Sequence, residues 1–184
     1  MTNLTVSEMF LDSARARFKS LKRMAEGAFK QVRDADFEWA ANAECNSLRV
    51  QIQHLRGNMI SRWTDTLTTD GEKPDRDRDT EFVVDGPASR AKLMEQWEAG
   101  WTVLLVAMDS FTPEDLPKTI YIRGEGHTLV DAINRQLLHV SYHVGQIVQI
   151  AKERVGDRWQ SLSIPRGKSR EYNASKGINT WSTR

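Results

Sequence analysis

The stretch TLVDAINRQLLHVSYHVGQIVQIAK, residues 128–152, decides the predicted fold. Its apolar residues recur mainly at steps of three, four and seven, which is typical of one buried face of an α-helix. Thr128, with Asp131 three residues later, predicts where this helix begins, and Gly156 predicts where it ends. The apolar stripe consists of Leu129, Ile133, Val140, Val144, Ile147 and Ala151. We therefore predict a long helix with one face in a core.

Three further stretches have the same periodicity, at residues 7–33, 46–67 and 87–108. Four long helices with one apolar stripe each predict an all-α fold, a four-helix bundle. Thr5 and Glu8 have the spacing of a capping box at the first helix, and Pro87 suits the first turn of the third. The connections at residues 68–86 and 110–127 are long crossovers, which allow a departure from simple up-down topology.

Two short segments inside these connections, residues 81–84 and 119–123, have an extended pattern and predict a short β ribbon at one end of the bundle. The residues after 156 lack helical periodicity and are polar and basic. We therefore predict a bundle domain at residues 1–156 and a C-terminal extension at residues 157–184. The extension is interpreted as a docked tail, a partner-binding arm or a disordered end.

Composition narrows the class of protein. The chain has 184 residues, 39% of them hydrophobic and 28% charged, which is typical of one globular domain. A net charge of +1 gives no general attraction for nucleic acid. Cys45 is the only cysteine, so an internal disulfide is excluded. There is no apolar run of about 20 residues and no signal-peptide pattern at the start, so we expect a cytoplasmic protein without a membrane partner.

Three histidines are the candidate metal ligands. His139 and His143 are four residues apart, so they share a helix face and can reach one ion. His54, on the second predicted helix, would complete a three-histidine site with an open position for water or substrate. It lies off the apolar stripe, on a polar strip that either faces solvent or lines a cavity. The alternative is that these are packing or surface histidines, and His127 at the helix start is too distant to join them.

Several polar residues near the histidines are candidates for the pocket. A neutral imidazole ligand needs an acceptor for its second nitrogen, and an anionic substrate needs cationic or hydroxyl groups. The alternative for each is an ordinary surface or packing residue. The amide candidates are Gln51, Asn58, Gln136 and Gln146, and the candidates for substrate contact are Arg62, Arg135 and Tyr142.

Two motifs resemble the DinB/YfiT-like superfamily: IQHLRGNMISRWTDTLTTDGEKPDRDRDTEF at residues 52–82 and GEGHTLVDAINRQLLHVSYHVGQIVQIAK at residues 124–152. The segment SIPRGKSREYN at residues 163–173 resembles an uncharacterised bacterial subgroup of it. The resemblance implies a bundle with a nonsequential helix order and a homodimer. It also implies a divalent metal, usually nickel or zinc, bound by His54, His139 and His143. Characterised relatives include thiol S-transferases that use bacillithiol or mycothiol and a mycothiol-dependent maleylpyruvate isomerase.

Two functional hypotheses follow. In the first, the protein is a metal-dependent enzyme for a small-molecule substrate, and the ion activates either water or a low-molecular-weight thiol. The reaction would then be hydrolysis or thiol S-transfer, with the histidines as ligands and the catalytic base unassigned. In the second, the protein is a non-catalytic stress-response or scaffold protein with a structural or vestigial metal site. Fold alone does not decide between them.

Overall fold

A computed structural model describes residues 4–177. Four long helices form the bundle: α1 (Val6–Phe29), α2 (Leu48–Trp63), α3 (Arg90–Ser110) and α4 (Leu129–Val155). A short helix, α5 (Ser169–Ser175), follows them, and β1 (Thr119–Ile122) pairs antiparallel with β2 (Glu125–Thr128). Single 3-10 turns lie at Asp34–Glu38, Asp79–Phe82, Pro113–Asp115 and Gly156–Arg158. The prediction of an all-α bundle with a short ribbon is confirmed.

Three helix ends predicted from local residue types are confirmed, namely the start of α1 and both ends of α4. The Thr5 hydroxyl accepts a hydrogen bond from the Glu8 amide, and the Glu8 carboxylate accepts one from the Thr5 amide. The Thr128 hydroxyl accepts a hydrogen bond from the amide of Asp131 and begins α4. Gly156, with φ of 60°, ends α4 in a backbone conformation that favours glycine.

Three helix boundaries and one strand prediction were wrong. α1 ends at Phe29 rather than at residue 33. α3 begins at Arg90 rather than at Pro87, because the Ser89 side chain caps it. α2 ends at Trp63 rather than at residue 67, because the chain turns at Asp65, where φ is 49°. Residues 81–84 do not form a strand, since residues 79–82 form a 3-10 turn. The second strand is instead Glu125–Thr128, joined to β1 by a two-residue hairpin loop in which both φ angles are positive.

The bundle has a nonsequential helix order. α1 packs against α4 and α3, and α2 packs against α3 and α4, so α1 and α2 lie diagonally across the bundle. α2 and α3 approach closely at Gly100, where a Cβ would lie 2.8 Å from the Cα of Arg56. The largest fully buried side chains include Phe18, Phe29, Trp97 and Trp101. This order places α2 beside α4, although the two are separated in the chain by α3 and both long connections.

The segment after α4 contacts the bundle. Trp159 and Leu162 pack against the hydrophobic core, and the Gln31 side chain exchanges hydrogen bonds with the backbone of Gln160. The division at residue 156 stays a prediction, and residues 178–184 of the predicted extension lie outside the described residues. Within residues 4–177, none of the helices combines the length and the hydropathy that a membrane span requires.

Candidate metal centre

Three imidazoles meet at the contact between α2 and α4. His54 lies on α2, and His139 and His143 lie one turn apart on α4. The Nε2 atom of His139 is 3.1 Å from Nε2 of His54 and 3.1 Å from Nε2 of His143. The three candidate ligand atoms all lie within 4.8 Å of one another. His54 is only 5% exposed, so its polar strip faces the interior of the bundle rather than solvent.

Two of the three rings are oriented by an acceptor on the far side. Nδ1 of His54 is 2.8 Å from Oε2 of Glu81, and Nδ1 of His143 is 2.6 Å from Oε1 of Gln51. Because carboxylate and amide oxygens accept hydrogen bonds, each Nδ1 carries the proton and each Nε2 has a free lone pair. For His54 and His143, this is the tautomer that lets Nε2 bind a metal ion. Nδ1 of His139 is buried without a protein partner among the described residues.

Glu81 reaches His54 across the surface of α2 at Gly57. A Cβ at Gly57 would lie 2.0 Å from Oε1 of Glu81, so a glycine is required for this approach. Arg76 donates two hydrogen bonds to the same carboxylate, at 2.8 and 3.1 Å. Burial opposes ionisation of Glu81, but hydrogen bonds from His54 and Arg76 lower its pKa below the ordinary value. The carboxylate therefore stays charged next to His54.

The electrostatic environment keeps two imidazoles neutral. Burial, followed by electrostatic coupling to the neighbouring His54 ring and to the positive charge of Arg62, lowers the pKa of His139 to about 4. Burial, followed by electrostatic coupling to the neighbouring His139 ring, lowers the pKa of His143 to about 3. At neutral pH His139 and His143 are therefore neutral imidazoles, and each ring keeps one nitrogen lone pair.

The donor set fits a small divalent cation. Imidazole nitrogens bind zinc at about 2.0–2.1 Å, which separates two ligands by about 3.4 Å in tetrahedral and about 2.9 Å in octahedral geometry. Two of the three separations, both 3.1 Å, lie between these values, and the third is within 4.8 Å. A proton on one Nε2 can form a hydrogen bond across only one of the two close contacts between the rings. A cation placed between the rings would instead attract the lone pairs of all three Nε2 atoms. Two buried histidines and one half-buried histidine in this arrangement could bind a metal ion.

The chain was compared with known proteins. Residues 5–168 match the family described as a protein of unknown function, DUF1572. The chain belongs to the DUF1572 family. The matched range includes all four bundle helices and all three clustered histidines. A search of curated proteins and a search of solved structures each found no match.

The DUF1572 fold brings the amide candidates together in two pairs. The Gln51 side chain, which accepts from His143, also donates to Oε1 of Gln146 at 2.7 Å. About two turns further along α2, Gln136 donates to Oδ1 of Asn58 at 3.0 Å, and both residues are buried. Both pairs link α2 to α4.

The three candidates for substrate contact lie in different surroundings. The Tyr142 ring packs edge-on against His143, with centroids 5.2 Å apart, and is 67% exposed. Arg62 is two turns from His54 on the same face of α2. Arg135 is exposed and lies 2.9 Å from Nε2 of His127, which in turn contacts Asp131. The structure therefore places Arg135 with His127 rather than with a clustered histidine.

A cleft in this DUF1572 protein borders the cluster at His143. It has a volume of about 350 Å³ and lies between α4 and the segment that precedes α2. Its lining includes Trp39, Cys45, Tyr142, His143, Gln146 and Ile150. The cleft can hold a small molecule beside one of the candidate ligands.

Sequence reasoning missed Glu81 and Arg76. Both come from the charged connection between α2 and α3, and residues 81–84 had been predicted as a strand. Gly57 was the available signal, because a glycine in the middle of a helix often marks a close approach by another group. Phe82 was also missed, and its ring packs against His54 with centroids 5.0 Å apart.

Proposed function

We propose that this DUF1572 protein is a divalent-metal-dependent enzyme whose ion is held by His54, His139 and His143. The observation that carries the proposal is the convergence of three Nε2 atoms, two of them on rings fixed through Nδ1. A bound ion would supply Lewis-acid activation of a water or of a low-molecular-weight thiol. The reaction class is accordingly hydrolysis or thiol S-transfer.

The protein groups have distinct tasks in this proposal. Glu81 and Gln51 hold the tautomer of His54 and His143 and increase the basicity of their Nε2 atoms. Three protein ligands leave coordination positions for substrate, as is common in catalytic rather than structural zinc sites. The cleft beside His143 supports entry of a small molecule from the Tyr142 side. We assign no general base, because the three histidines serve as ligands.

The core of the bundle supports a catalytic rather than a structural ion. The hydrophobic cluster connects all four bundle helices and does not include the three histidines. Folding therefore has a driving force that is independent of the ion. Removal of metal is expected to leave the helices intact.

The DinB/YfiT-like resemblance supports the finer parts of the proposal. It favours nickel or zinc as the ion and a thiol as the cosubstrate. It also favours a homodimer, and we propose a cytoplasmic enzyme that acts on a small molecule and not on nucleic acid or a membrane. Oligomeric state can be measured by light scattering.

The test uses protein purified without a histidine tag. Bound divalent metal is measured for the wild type, for His139→Ala and for the matched control His127→Ala, whose ring contacts Asp131 outside the cluster. We expect about one ion per chain in the wild type and the control, and loss of the ion in His139→Ala. Equal metal content in all three proteins would overturn the proposed site.

A second measurement separates enzyme from scaffold. The metal-loaded protein is assayed with low-molecular-weight thiols and an electrophile, and separately with ester and amide substrates. Circular dichroism is recorded before and after chelation. Turnover that disappears with the ion while helicity remains supports the enzyme. Loss of helicity on chelation, without turnover of any substrate, supports a structural ion in a scaffold protein.

A further inference from the structure

Arg62 has a partly buried guanidinium without a carboxylate partner among the described residues. Its Nε donates one long hydrogen bond, of 3.4 Å, to the carbonyl oxygen of Gly71. Its terminal nitrogens donate to no protein acceptor in residues 4–177 and keep access to solvent. Burial lowers its pKa to about 10, the nearby positive charge of Arg76 adds to this effect, and the negative charge of Glu72 opposes it without a direct contact. The guanidinium is thus a cation whose charge is poorly compensated.

Other buried or partly buried arginines are well compensated. Arg49 donates to Glu38 and to the carbonyl oxygens of Asp85 and Gly86, at 2.7 to 3.0 Å. Arg90 donates to Asp34 and to two carbonyl oxygens, one in the last residue of α1 and one in the connection that follows. Partial burial of a charge is costly unless it is paired, so an unpaired Arg62 needs another explanation.

A polar track connects Arg62 with the histidine cluster. On α2, His54, Asn58 and Arg62 follow one another at steps of four residues and share a face. α4 runs antiparallel beside them and contributes His139 and Gln136. The track covers two helical turns, about 12 Å of rise.

The middle of this track has unused hydrogen-bonding capacity. Asn58 is 8% exposed and Gln136 is 3% exposed, and their side chains make one hydrogen bond to each other. Nδ2 of Asn58 and Oε1 of Gln136 have no other protein partner in the described part of the chain, yet neither atom is sealed from solvent. One donor and one acceptor therefore remain for a ligand between His139 and Arg62.

We propose that Arg62 binds an anionic group of the substrate, a carboxylate or a phosphate, whose reacting end lies at the three-histidine site. The planar fork of a guanidinium matches two oxygens of either group. The second half of this statement rests on the proposed function, whereas anion binding by Arg62 does not require the metal. Arg62 is then a specificity-determining residue that selects oxyanion-bearing substrates.

The test uses metal-free full-length protein, so that it can fail independently of the metal site. Thermal unfolding is followed at constant ionic strength while chloride is replaced by inorganic phosphate or, in a second series, by acetate. The variants are Arg62→Gln, Arg62→Lys and the matched control Arg123→Gln. Arg123 belongs to the same positively charged region but is 59% exposed and is paired with Glu72.

We expect one or both anions to raise the Tm of the wild type and of Arg123→Gln. Arg62→Gln should weaken the anion response about tenfold or more, as expected for loss of charge-assisted hydrogen bonds, and Arg62→Lys should keep part of it. In chloride alone, Arg62→Gln should unfold at or above the wild-type Tm, because it removes an uncompensated charge. Arg49→Gln removes a charge that hydrogen bonds compensate, so its Tm in chloride should lie below that of the wild type.

Two results would overturn the assignment. One is an anion response in Arg62→Gln equal to that of the wild type, including no response in either. The other is a loss of Tm in chloride as large as that of Arg49→Gln, which would make Arg62 a structural residue. If the anion response depends on Arg62 but the wild type binds no divalent metal when the metal is supplied, the proposed function is rejected and the anion site stands.

Discussion

Replacement of Gly57 by alanine tests whether Glu81 holds His54 in its ligating orientation. Gly57 lies in the middle of α2, where the Glu81 carboxylate crosses the helix. The added Cβ would lie 2.0 Å from Oε1 and 2.6 Å from Cδ of Glu81. Ordinary contacts of a Cβ begin at 3.4 Å, so the carboxylate must retreat by about 1.4 Å.

We expect that retreat to break the hydrogen bond between Glu81 and His54. A carboxylate that moves away from His54 by this amount would take the 2.8 Å separation between Oε2 and Nδ1 beyond about 3.5 Å, which is no longer a hydrogen bond. Hydrogen bonds to charged groups contribute about 1.5–3 kcal/mol each, and alanine in a helix recovers about 1 kcal/mol relative to glycine. We expect Gly57→Ala to destabilise the protein by about 0.5–2 kcal/mol and to weaken metal binding about 10–100-fold.

The matched control is Gly145→Ala on α4. A Cβ at Gly145 meets nothing within 4 Å, so this variant should gain up to about 1 kcal/mol and bind metal as the wild type does. Metal affinity is measured by competition with a chromophoric chelator, and the free energy of unfolding by urea titration. Wild-type metal affinity in a folded Gly57→Ala protein would refute the role given to Glu81.

Three further predictions follow from the same contacts. Glu81→Gln should weaken metal binding about 10–100-fold with helicity retained, whereas Glu95→Gln at an exposed site of α3 should not; equal affinities in a competition titration would contradict this. The pKa values of His139 and His143 are about 4 and 3 in the folded protein and near 6.5 in the unfolded chain. At a pH between the folded and the unfolded pKa, the unfolded chain therefore binds more protons than the folded protein. The urea midpoint of the metal-free protein should therefore fall as the pH drops from 6.5 to about 5, above the carboxylate range, and a flat midpoint would be evidence against neutral buried rings. Gly100→Ala should cost about 1–3 kcal/mol, because its Cβ would lie 2.8 Å from backbone of Arg56, and an unchanged Tm would show that α2 and α3 can separate at little cost.

Local signals in the sequence predicted the helices well. The caps at Thr5 and Thr128 and the stop at Gly156 depend on nearby residues, and an apolar stripe records burial on one side. The pair His139 and His143 was predictable for the same reason. α2 was harder to interpret, because buried residues surround it on more than one face and include the polar Gln51, His54 and Asn58. The periodicity of residues along a helix cannot distinguish a polar strip that faces the interior from a polar strip that faces solvent.

Long-range partners could not be read from spacing. Glu81 contacts a histidine 27 residues earlier in the chain, and Arg76 belongs to a charged connection that is typical of solvent-exposed loops. The second ribbon strand was missed because its residues, Glu125 to Thr128, have no apolar alternation and pair through the Arg123–Gly124 loop. These contacts depend on how the chain returns to α2, which tertiary packing decides.

X-ray absorption at the metal edge tests the central claim most directly. Protein loaded with one equivalent of zinc or nickel should give a first shell with three imidazole nitrogens at about 2.0–2.1 Å, and His139→Ala should give two or lose the ion. A first shell with fewer than three imidazoles in the wild type, or one unchanged in His139→Ala, would contradict the convergence of His54, His139 and His143 on one ion.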